Sequence, residues 1–207
     1  MLRKLERIVK PGYKVASVGL SIFDKAAKEL VENSGSSYFC IVPDKDFLDK
    51  FDNRIYGDIN TIEYDLTKNH DLSDFFIKFD VLIFIETLEH ILYDDSEILK
   101  NLSLLIKKGG VMMFSVPNAV EIGKRIFTLL GRNPYWSKDS IINGVYGGYG
   151  HVREYTVSEV VALLRPYFYI RRIEKLNPYG SSIRKIVRNL LPKTWAAHIY
   201  CEAIKKY

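Results

Sequence analysis

The sequence has few cysteines, no long apolar run and no apolar leader, and each shortage speaks against a class of protein. Two cysteines in 207 residues indicate buried thiols rather than a disulfide framework or a metal pair. No apolar stretch approaches the roughly 18–20 residues that a membrane-spanning helix needs. Residues 1–7 are rich in charge and lack the apolar core of a secretion signal. We therefore expect a cytoplasmic protein without an integral membrane segment, in which Cys40 and Cys201 are buried.

The sequence also lacks the signatures of several enzyme classes. Its cysteines and histidines do not show metal-ligand spacing, so no metal is predicted. Neither a nucleophile elbow nor a Ser-His-Asp arrangement is apparent. The three glycines and the second-strand acid of a dinucleotide-binding dehydrogenase are missing as well. Serine hydrolases and such dehydrogenases are therefore poor explanations of this chain.

What is present suits one globular domain, which we predict over residues 1–207. Hydrophobic residues make up 47% and charged residues 27% of the chain, as in ordinary soluble proteins. The net charge of +5 is uneven, because bases dominate from Arg165 onward. This basic quarter could face an anionic substrate, a membrane surface or nucleic acid, or it could be a solvated face. Nucleic acid is the weakest of these partners.

Apolar strands alternate with amphipathic helices along most of the chain. This alternation predicts a parallel sheet with helices on both faces. The predicted strands cover residues 15–18, 38–42, 61–64, 79–85, 111–116, 167–176 and 197–203. The predicted helices cover residues 2–9, 25–32, 45–51, 94–107, 120–130, 156–164 and 181–191. The last of these, a basic amphipathic helix, could rest on a membrane surface or pack against the sheet.

The most informative segment is residues 79–118. An apolar strand ends in the sequence ETLEH at residues 86–90, and a leucine-rich helix follows. A Lys-Gly-Gly turn at residues 108–110 then leads into a second apolar strand that closes with Pro-Asn. Unbroken apolar strands of this kind are typical of a βαβ unit buried on both faces. The segment resembles the fourth and fifth strands of class I S-adenosylmethionine-dependent methyltransferases, and GHVREYT at residues 150–156 extends the likeness.

The resemblance covers about three quarters of the chain and implies a fold and an activity. The implied fold is the Rossmann-like class I methyltransferase α/β fold: a seven-stranded, mostly parallel sheet flanked by helices. A lid at about residues 119–155 would be inserted before the sixth strand. The implied activity is transfer of a methyl group from S-adenosylmethionine to an oxygen or nitrogen of a small-molecule, glycan or lipid-linked acceptor.

The glycine-rich turn that holds the cofactor in this family is only partly present. The family pattern is close to VLDIGxGxG, whereas residues 15–23 read VASVGLSIF. Gly19 keeps the first glycine, and glycine is needed there because the backbone passes close to the ligand. Ser21 and Phe23 replace the other two glycines, and Ser17 replaces the acid. The resemblance implies cofactor contacts for Gly19, Ser21, Asp44, Asp65, Glu86 and Leu88.

The altered turn leaves a second function open. The chain could be a methyltransferase-like scaffold or partner protein that binds no cofactor and has no activity. A third, weaker hypothesis is a nucleic-acid-binding protein that uses the basic carboxyl-terminal face.

Acceptor-side residues are predicted from the resemblance and from their chemistry. His151 is expected to face the substrate as a base or hydrogen-bond donor. His90 lies near the expected cleft and either acts there or packs against the following helix. Arg153 could clamp an anionic group or form a salt bridge with an acid nearby. Tyr146 and Tyr149 could line an acceptor pocket or pack within the lid.

Overall fold

The computed structural model describes residues 1–44, 47, 58–68, 77–143, 150–176 and 192–207. Seven strands form one sheet. They are β1 (Lys14–Val18), β2 (Ser37–Val42), β3 (Asn60–Glu63), β4 (Phe79–Ile85), β5 (Ile106–Pro117), β6 (Phe168–Leu176) and β7 (His198–Lys205). Their order across the sheet is β3-β2-β1-β4-β5-β7-β6. The first five strands in chain order pair in parallel, and β7 runs antiparallel between β5 and β6. The predicted seven-stranded, mostly parallel sheet is therefore confirmed.

Helices cover both faces of the sheet. They are α1 (Leu2–Ile8), α2 (Ile22–Asn33), α3 (Asp95–Leu105), α4 (Ile122–Leu129), α5 (Lys138–Ile142) and α6 (Val157–Leu164), with single 3-10 turns at Leu88–His90 and Lys193–Trp195. The predicted helices at residues 45–51 and 181–191 fall largely or wholly outside the described residues. Within the described part of the chain, no helix is long and apolar enough to cross a membrane.

The core has two layers, one on each face of the sheet. One layer contains residues of α3 and α6, and the other contains residues of α1 and α2. Side chains of β4 alternate between them: Leu82 and Phe84 enter the first, whereas Val81 and Ile83 enter the second. Because successive side chains of a strand point to opposite faces, a strand buried on both sides needs an unbroken apolar run. The two cysteines are buried, as predicted.

Most predicted bounds agree with the structure, but the segment between α3 and β5 differs. The helix predicted to residue 107 ends at Leu105, and Ile106 already pairs with Phe79 of β4. The register then shifts, so that Val111 pairs with Val81. A side chain at Gly110 would come within 2.9 Å of the Lys107 carbonyl oxygen. The glycine is therefore required because two backbone segments approach each other closely.

The two ends of the predicted lid lie side by side at the sheet edge. The amide of Ala119 donates to the Tyr155 carbonyl at 3.0 Å, and the Tyr155 amide donates to the Pro117 carbonyl at 3.2 Å. The side chain of the buried Asn118 donates to the backbone of Ala196 at 2.7 Å. The chain therefore leaves the sheet after β5, forms α4 and α5, and returns to almost the same place. Residues 144–149 of this segment lie outside the described residues.

A buried carboxylate fixes the turn between β1 and α2. Ser21 caps α2 in a capping box with Asp24, which places the start of this helix at Ile22 rather than at the predicted residue 25. The Asp24 side chain is buried and accepts hydrogen bonds from Ser17 Oγ at 2.5 Å and Tyr38 Oη at 2.6 Å. The Ser21 amide donates to the same carboxylate at 2.5 Å. Asp24 therefore ties the turn to β1, β2 and α2 at once.

Replacing this carboxylate tests its role in stability. We expect Asp24→Asn to lower the free energy of unfolding by about 2–4 kcal/mol, because an amide nitrogen cannot accept the buried hydrogen bonds. Glu29→Gln is the matched control, since Glu29 is an exposed acid on the same helix, and it should change the value by less than about 0.5 kcal/mol. Urea denaturation measures both. Equal stabilities of the two variants would contradict this role of Asp24.

Candidate functional site

The turn after β1 leaves space in front of its glycine. Gly19 has a φ of +79°, a left-handed conformation that glycine adopts without strain. Its amide donates to the Ile41 carbonyl at 2.9 Å, which anchors the turn to β2. Among the described residues, and apart from its chain neighbours, a Cβ at this position would have one heavy atom within 4 Å, Thr87 Cγ2 at 3.9 Å. The backbone of Gly19 is therefore accessible to a ligand.

The two residues that replace glycines do not fill this space. The Ser21 hydroxyl donates to Asp24 at 2.9 Å and serves as the cap of α2. Phe23 is half-buried and packs against the core layer that contains Val15 and Ala27, on the α2 side of the sheet. The benzyl group of Phe23 therefore belongs to the packing of α2.

Two acids follow the neighbouring strands at the same edge. Asp44, just beyond β2, is exposed and accepts from the Phe47 amide at 2.7 Å. Asp65, just beyond β3, accepts from the Thr67 hydroxyl at 2.7 Å and the Thr67 amide at 2.9 Å. Burial alone would raise the pKa of Asp65, but these hydrogen bonds outweigh it and the pKa is lowered. Asp65 therefore carries a negative charge at neutral pH.

The turn after β4 is unusual. Glu86 has a φ of +49°, the one positive value among the described non-glycine residues. Its carboxylate accepts from Ser115 Oγ at 2.6 Å and from His198 Nδ1 at 2.7 Å. The next residue, Thr87, places its hydroxyl 3.4 Å from the Val18 carbonyl. The β4 turn thus contacts the β1 turn directly through Thr87.

A cavity of about 410 Å³ borders the β4 turn, and Gly19 is not among its lining residues. Its walls come from the 3-10 turn after β4, from the end of β5, from α4, from the segment before α6 and from the start of β7. The lining residues are Glu86, Glu89, His90, Pro117, Glu121, Lys124, His151, Glu154, Ala197 and His198. The volume suits a small molecule.

Glu89 lies at the wall of this cavity with no exposed surface. Neither of its carboxylate oxygens has a hydrogen-bond partner among the described residues. His90 Nε2 lies 4.0 Å from Glu89 Oε1. Burial, together with the nearby charge of Glu86, raises the pKa of Glu89 well above its ordinary value. A buried carboxylate of this kind needs either a proton or a positive partner.

His151 lies between two rings. The His90 ring meets it edge-on with centroids 5.0 Å apart, and the Trp136 ring lies at 4.7 Å. Its Nδ1 donates to Glu154 Oε1 at 3.2 Å, and Lys124 pairs with the other oxygen of Glu154. Burial, reinforced by the neighbouring His90, lowers the pKa of His151 to about 4. The imidazole is therefore neutral at pH 7.

The structure brings some predicted site residues together and separates others. His90 and His151 lie in the same cavity, and Glu86 lines it as well. Arg153 does not line it: its guanidinium pairs with Asp95 at 3.1 Å and with Glu159 at 2.7 Å. Arg153 therefore forms a salt bridge, which is one of the two predicted alternatives, and its contact with an anionic substrate stays a prediction.

The predicted roles of Leu88, Tyr146 and Tyr149 depend on where the structure places these residues. The Leu88 side chain is buried in the core, so only its backbone could border a cofactor. His198, which the sequence does not single out, contacts Glu86. Tyr146 and Tyr149 lie outside the described residues.

Several lining residues were not predicted. Lys124 and Glu121 come from α4, which the sequence marks only as an amphipathic helix, and Glu154 lies within the GHVREYT motif without a role assigned. Glu89 belongs to the ETLEH sequence, where the pairing of two acids and a histidine was the available signal.

Comparison with known proteins identifies the family and the fold of the chain. A family model described as a methyltransferase domain matches residues 5–165. The comparison with curated proteins gives no match.

Solved structures resemble the whole chain. A SAM-dependent methyltransferase from Archaeoglobus fulgidus has a TM-score of 0.61 at 16% identity, covering 99% of this chain and 91% of its own. The N-methyltransferase NodS from Bradyrhizobium japonicum, in complex with S-adenosylhomocysteine, has 0.57 at 11% identity, with coverages of 100% and 86%. An S-adenosylmethionine-dependent methyltransferase from Mesorhizobium loti has 0.56 at 17% identity, with coverages of 99% and 95%. At these identities the likeness shows the fold, which is the Rossmann-like class I methyltransferase fold.

The environment of His151 generates a prediction about pH. We expect the NMR signals of the carbon-bound ring protons of His151 to shift with a midpoint near pH 4. Burial disfavours the charged ring and so lowers its pKa. Since an unfolded chain holds this proton up to about pH 6.5, the native state loses stability as pH falls from about 6.5 to 4. Spectra of His151→Gln identify the resonances. A titration near pH 6.5 would show that the ring is not enclosed as described.

Proposed function

Because the chain belongs to the methyltransferase-domain family, we propose that it transfers a methyl group from S-adenosylmethionine to an oxygen or nitrogen of an acceptor. The observation that carries this proposal is the adjacency of two spaces. The open backbone at Gly19 and the cavity beside His151 both border the β4 turn, since Thr87 contacts the Gly19 turn and Glu86 lines the cavity. A methyl donor on one side and an acceptor on the other would meet there.

The residues around Gly19 fit the proposed cofactor. S-adenosylmethionine supplies a methyl carbon that is already activated by its sulfonium. The Gly19 turn offers backbone that a ligand can approach without meeting a side chain. Asp44 and the ionised Asp65 lie at the same sheet edge, where carboxylates can accept hydrogen bonds from ribose hydroxyls and the adenine amine. Ser21 acts through the cap that shapes the turn.

The cavity supports the acceptor half of the proposal. Methyl transfer mainly requires that the acceptor atom be aligned and relieved of its proton. His151 is neutral because its pKa is lowered, and its Nδ1–H is held by Glu154, so its Nε2 lone pair can accept a hydrogen bond from the acceptor and take up its proton as methyl transfer makes that proton more acidic. In this role His151 removes the proton from an acceptor hydroxyl or amine. His90 lies against it and helps to orient the ring.

The charge of the cavity narrows the acceptor class. Among the described residues, four carboxylates line it, those of Glu86, Glu89, Glu121 and Glu154, against one lysine, Lys124. Lys124 is already paired with Glu154. This arrangement disfavours an acceptor with an anionic group near the reacting atom. A neutral hydroxyl or amine group of a small molecule, a glycan or a lipid-linked compound fits better.

The inserted segment favours the lipid-linked class among these. The helix that carries Lys124 buries none of its residues. Large apolar side chains are exposed on α4 and in the chain after it: Ile126, Phe127, Leu129, Leu130, Tyr135 and Trp136. An apolar surface beside a polar cavity suits a substrate with a polar head and an apolar tail. We propose that this segment acts as the lid over the acceptor and as a peripheral contact with a membrane.

Cofactor binding can be tested with a matched pair of glycine variants. We expect Gly19→Ala to weaken S-adenosylhomocysteine binding by at least about tenfold, because its Cβ enters the open space. Gly35→Ala is the control: Gly35 has a φ of +75° and also has room for a Cβ, but it lies at the opposite end of the strands. Both variants should lose about 1–2 kcal/mol of stability from backbone strain, and only Gly19→Ala should lose affinity.

Isothermal titration calorimetry measures these affinities. Absence of heat with the unaltered chain at millimolar S-adenosylhomocysteine would end the enzymatic proposal and favour the scaffold hypothesis.

The acceptor side can be tested separately. We expect His151→Gln to slow acceptor-dependent formation of S-adenosylhomocysteine by at least about 100-fold, because proton removal contributes on this scale. The assay compares phenols, amino sugars and polyprenol-linked sugars as acceptors. The affinity of the variant for S-adenosylhomocysteine should stay within about twofold, which shows that the variant is folded. Full activity of His151→Gln with an acceptor that the unaltered chain methylates would remove His151 from the mechanism.

A further inference from the structure

We propose that Glu89, His90 and His151 form a binding site for one divalent transition-metal cation at the wall of the cavity. One potential ligand atom of each residue lies within 4.8 Å of those of the other two. A single cation at their centre could therefore contact all three with small side-chain movements. The site goes beyond the methyl-transfer proposal, because metal binding here would depend on these three side chains and not on a methyl donor or acceptor.

The strongest support is the state of Glu89. Its side chain is fully buried, and neither oxygen accepts a hydrogen bond from any described residue. Buried polar groups are nearly always satisfied, and an unsatisfied carboxylate is among the costliest groups to bury. A bound cation would give both oxygens a partner. The buried carboxylate thus points to a missing positive ligand.

The backbone holds the three ligands in place. Glu89 and His90 belong to the 3-10 turn that directly follows β4. His151 comes from a distant part of the chain, but the amide of Val152 donates to the Glu89 carbonyl at 2.8 Å. This hydrogen bond fixes the segment of His151 against the turn. The position of the His151 backbone relative to Glu89 is therefore fixed by a hydrogen bond.

An outer carboxylate orients one of the imidazoles. His151 Nδ1 donates to Glu154 Oε1 at 3.2 Å, and Lys124 holds the other oxygen of Glu154. This leaves Nε2 of His151 with its lone pair for a cation. A histidine that binds a metal through one nitrogen usually donates through the other to a carboxylate. The arrangement around His151 has this form.

The donor set selects the kind of cation. Two imidazoles and one carboxylate suit Zn²⁺, Mn²⁺, Fe²⁺ or Co²⁺, whereas Mg²⁺ and Ca²⁺ prefer oxygen ligands alone. The excess of carboxylates over lysine in the cavity also favours a cation. Three protein ligands leave coordination positions open toward the cavity. The sequence shows no metal-ligand spacing because His151 joins the other two ligands only in the folded chain.

The consequence for catalysis rests on the proposed function. An acceptor hydroxyl bound to the cation would lose its proton more readily, because a cation lowers the pKa of a coordinated oxygen acid. The proton would pass to solvent or to Glu86, which lines the same cavity. His151 would then act as a ligand instead of as the base. Metal dependence of methyl transfer distinguishes these two roles.

The test measures metal binding directly. Full-length protein is freed of metal with a chelator and titrated with Co²⁺, Zn²⁺ and Mg²⁺, by calorimetry and by the visible absorption of Co²⁺. We expect one Co²⁺ or Zn²⁺ per chain, bound at least about 100-fold more tightly than Mg²⁺. Glu89→Gln and His151→Gln should each weaken binding by more than about 100-fold, since loss of outer partners alone costs 10–100-fold.

Matched controls make the result decisive. Glu97→Gln, which changes an acid on α3 that pairs with Lys100, should bind Co²⁺ like the unaltered chain. Zn²⁺ should raise the melting temperature of the unaltered chain but not that of Glu89→Gln, which is expected to fold because it removes a buried charge. Absence of one-to-one binding at millimolar Co²⁺, or binding that survives both substitutions, would overturn the site.

Binding of S-adenosylhomocysteine is measured on the same samples. Cofactor binding without metal binding would refute the metal site and leave the proposed function standing. Metal binding without cofactor binding would support the metal site and contradict the proposed methyl transfer.

Discussion

The turn at the carboxyl end of β4 is the constraint on which the rest of the site depends. Glu86 has a left-handed backbone there, a conformation that costs a residue with a side chain about 1–2 kcal/mol. Hydrogen bonds from two neighbouring strands to its carboxylate hold it in place. From this turn Thr87 reaches the Gly19 turn, while Glu89 enters the wall of the cavity. The β4 turn thus contributes residues both to the Gly19 turn and to the cavity. Backbone strain of this kind is often found at functional sites.

The altered glycine turn is rebuilt by a different residue. The acid that the family pattern places at the end of the first strand is Ser17 in this chain. In the structure the Asp24 carboxylate comes back from α2 to within 2.5 Å of the Ser17 hydroxyl. A carboxyl group is therefore still present beside the turn, supplied by the helix instead of the strand. Gly19 itself keeps the left-handed conformation, and its amide is held by the Ile41 carbonyl.

Buried strands could be predicted from the sequence, whereas ion pairs between distant segments could not. The apolar runs of β4 and β5 predicted buried strands, because a strand covered on both faces needs apolar side chains throughout. The helix predicted at residues 156–164 is α6, which begins after a capping box formed by Thr156 and Glu159. The acids that pair with Arg153, Asp95 and Glu159, could be identified only once α3 and α6 were packed together.

The sequence by itself determined the order of the elements and the mostly parallel sheet, and the family resemblance implied that Gly19 and Glu86 lie near the same ligand. The order and the sheet follow from the period of apolar residues and from the positions of glycine and of helix caps, which are local properties of the chain. Only the tertiary structure decided that His90, His151 and Glu89 share one cavity, and that His198 contacts Glu86. The physical reason is that burial and side-chain contacts between distant segments depend on packing in three dimensions, which no local pattern records.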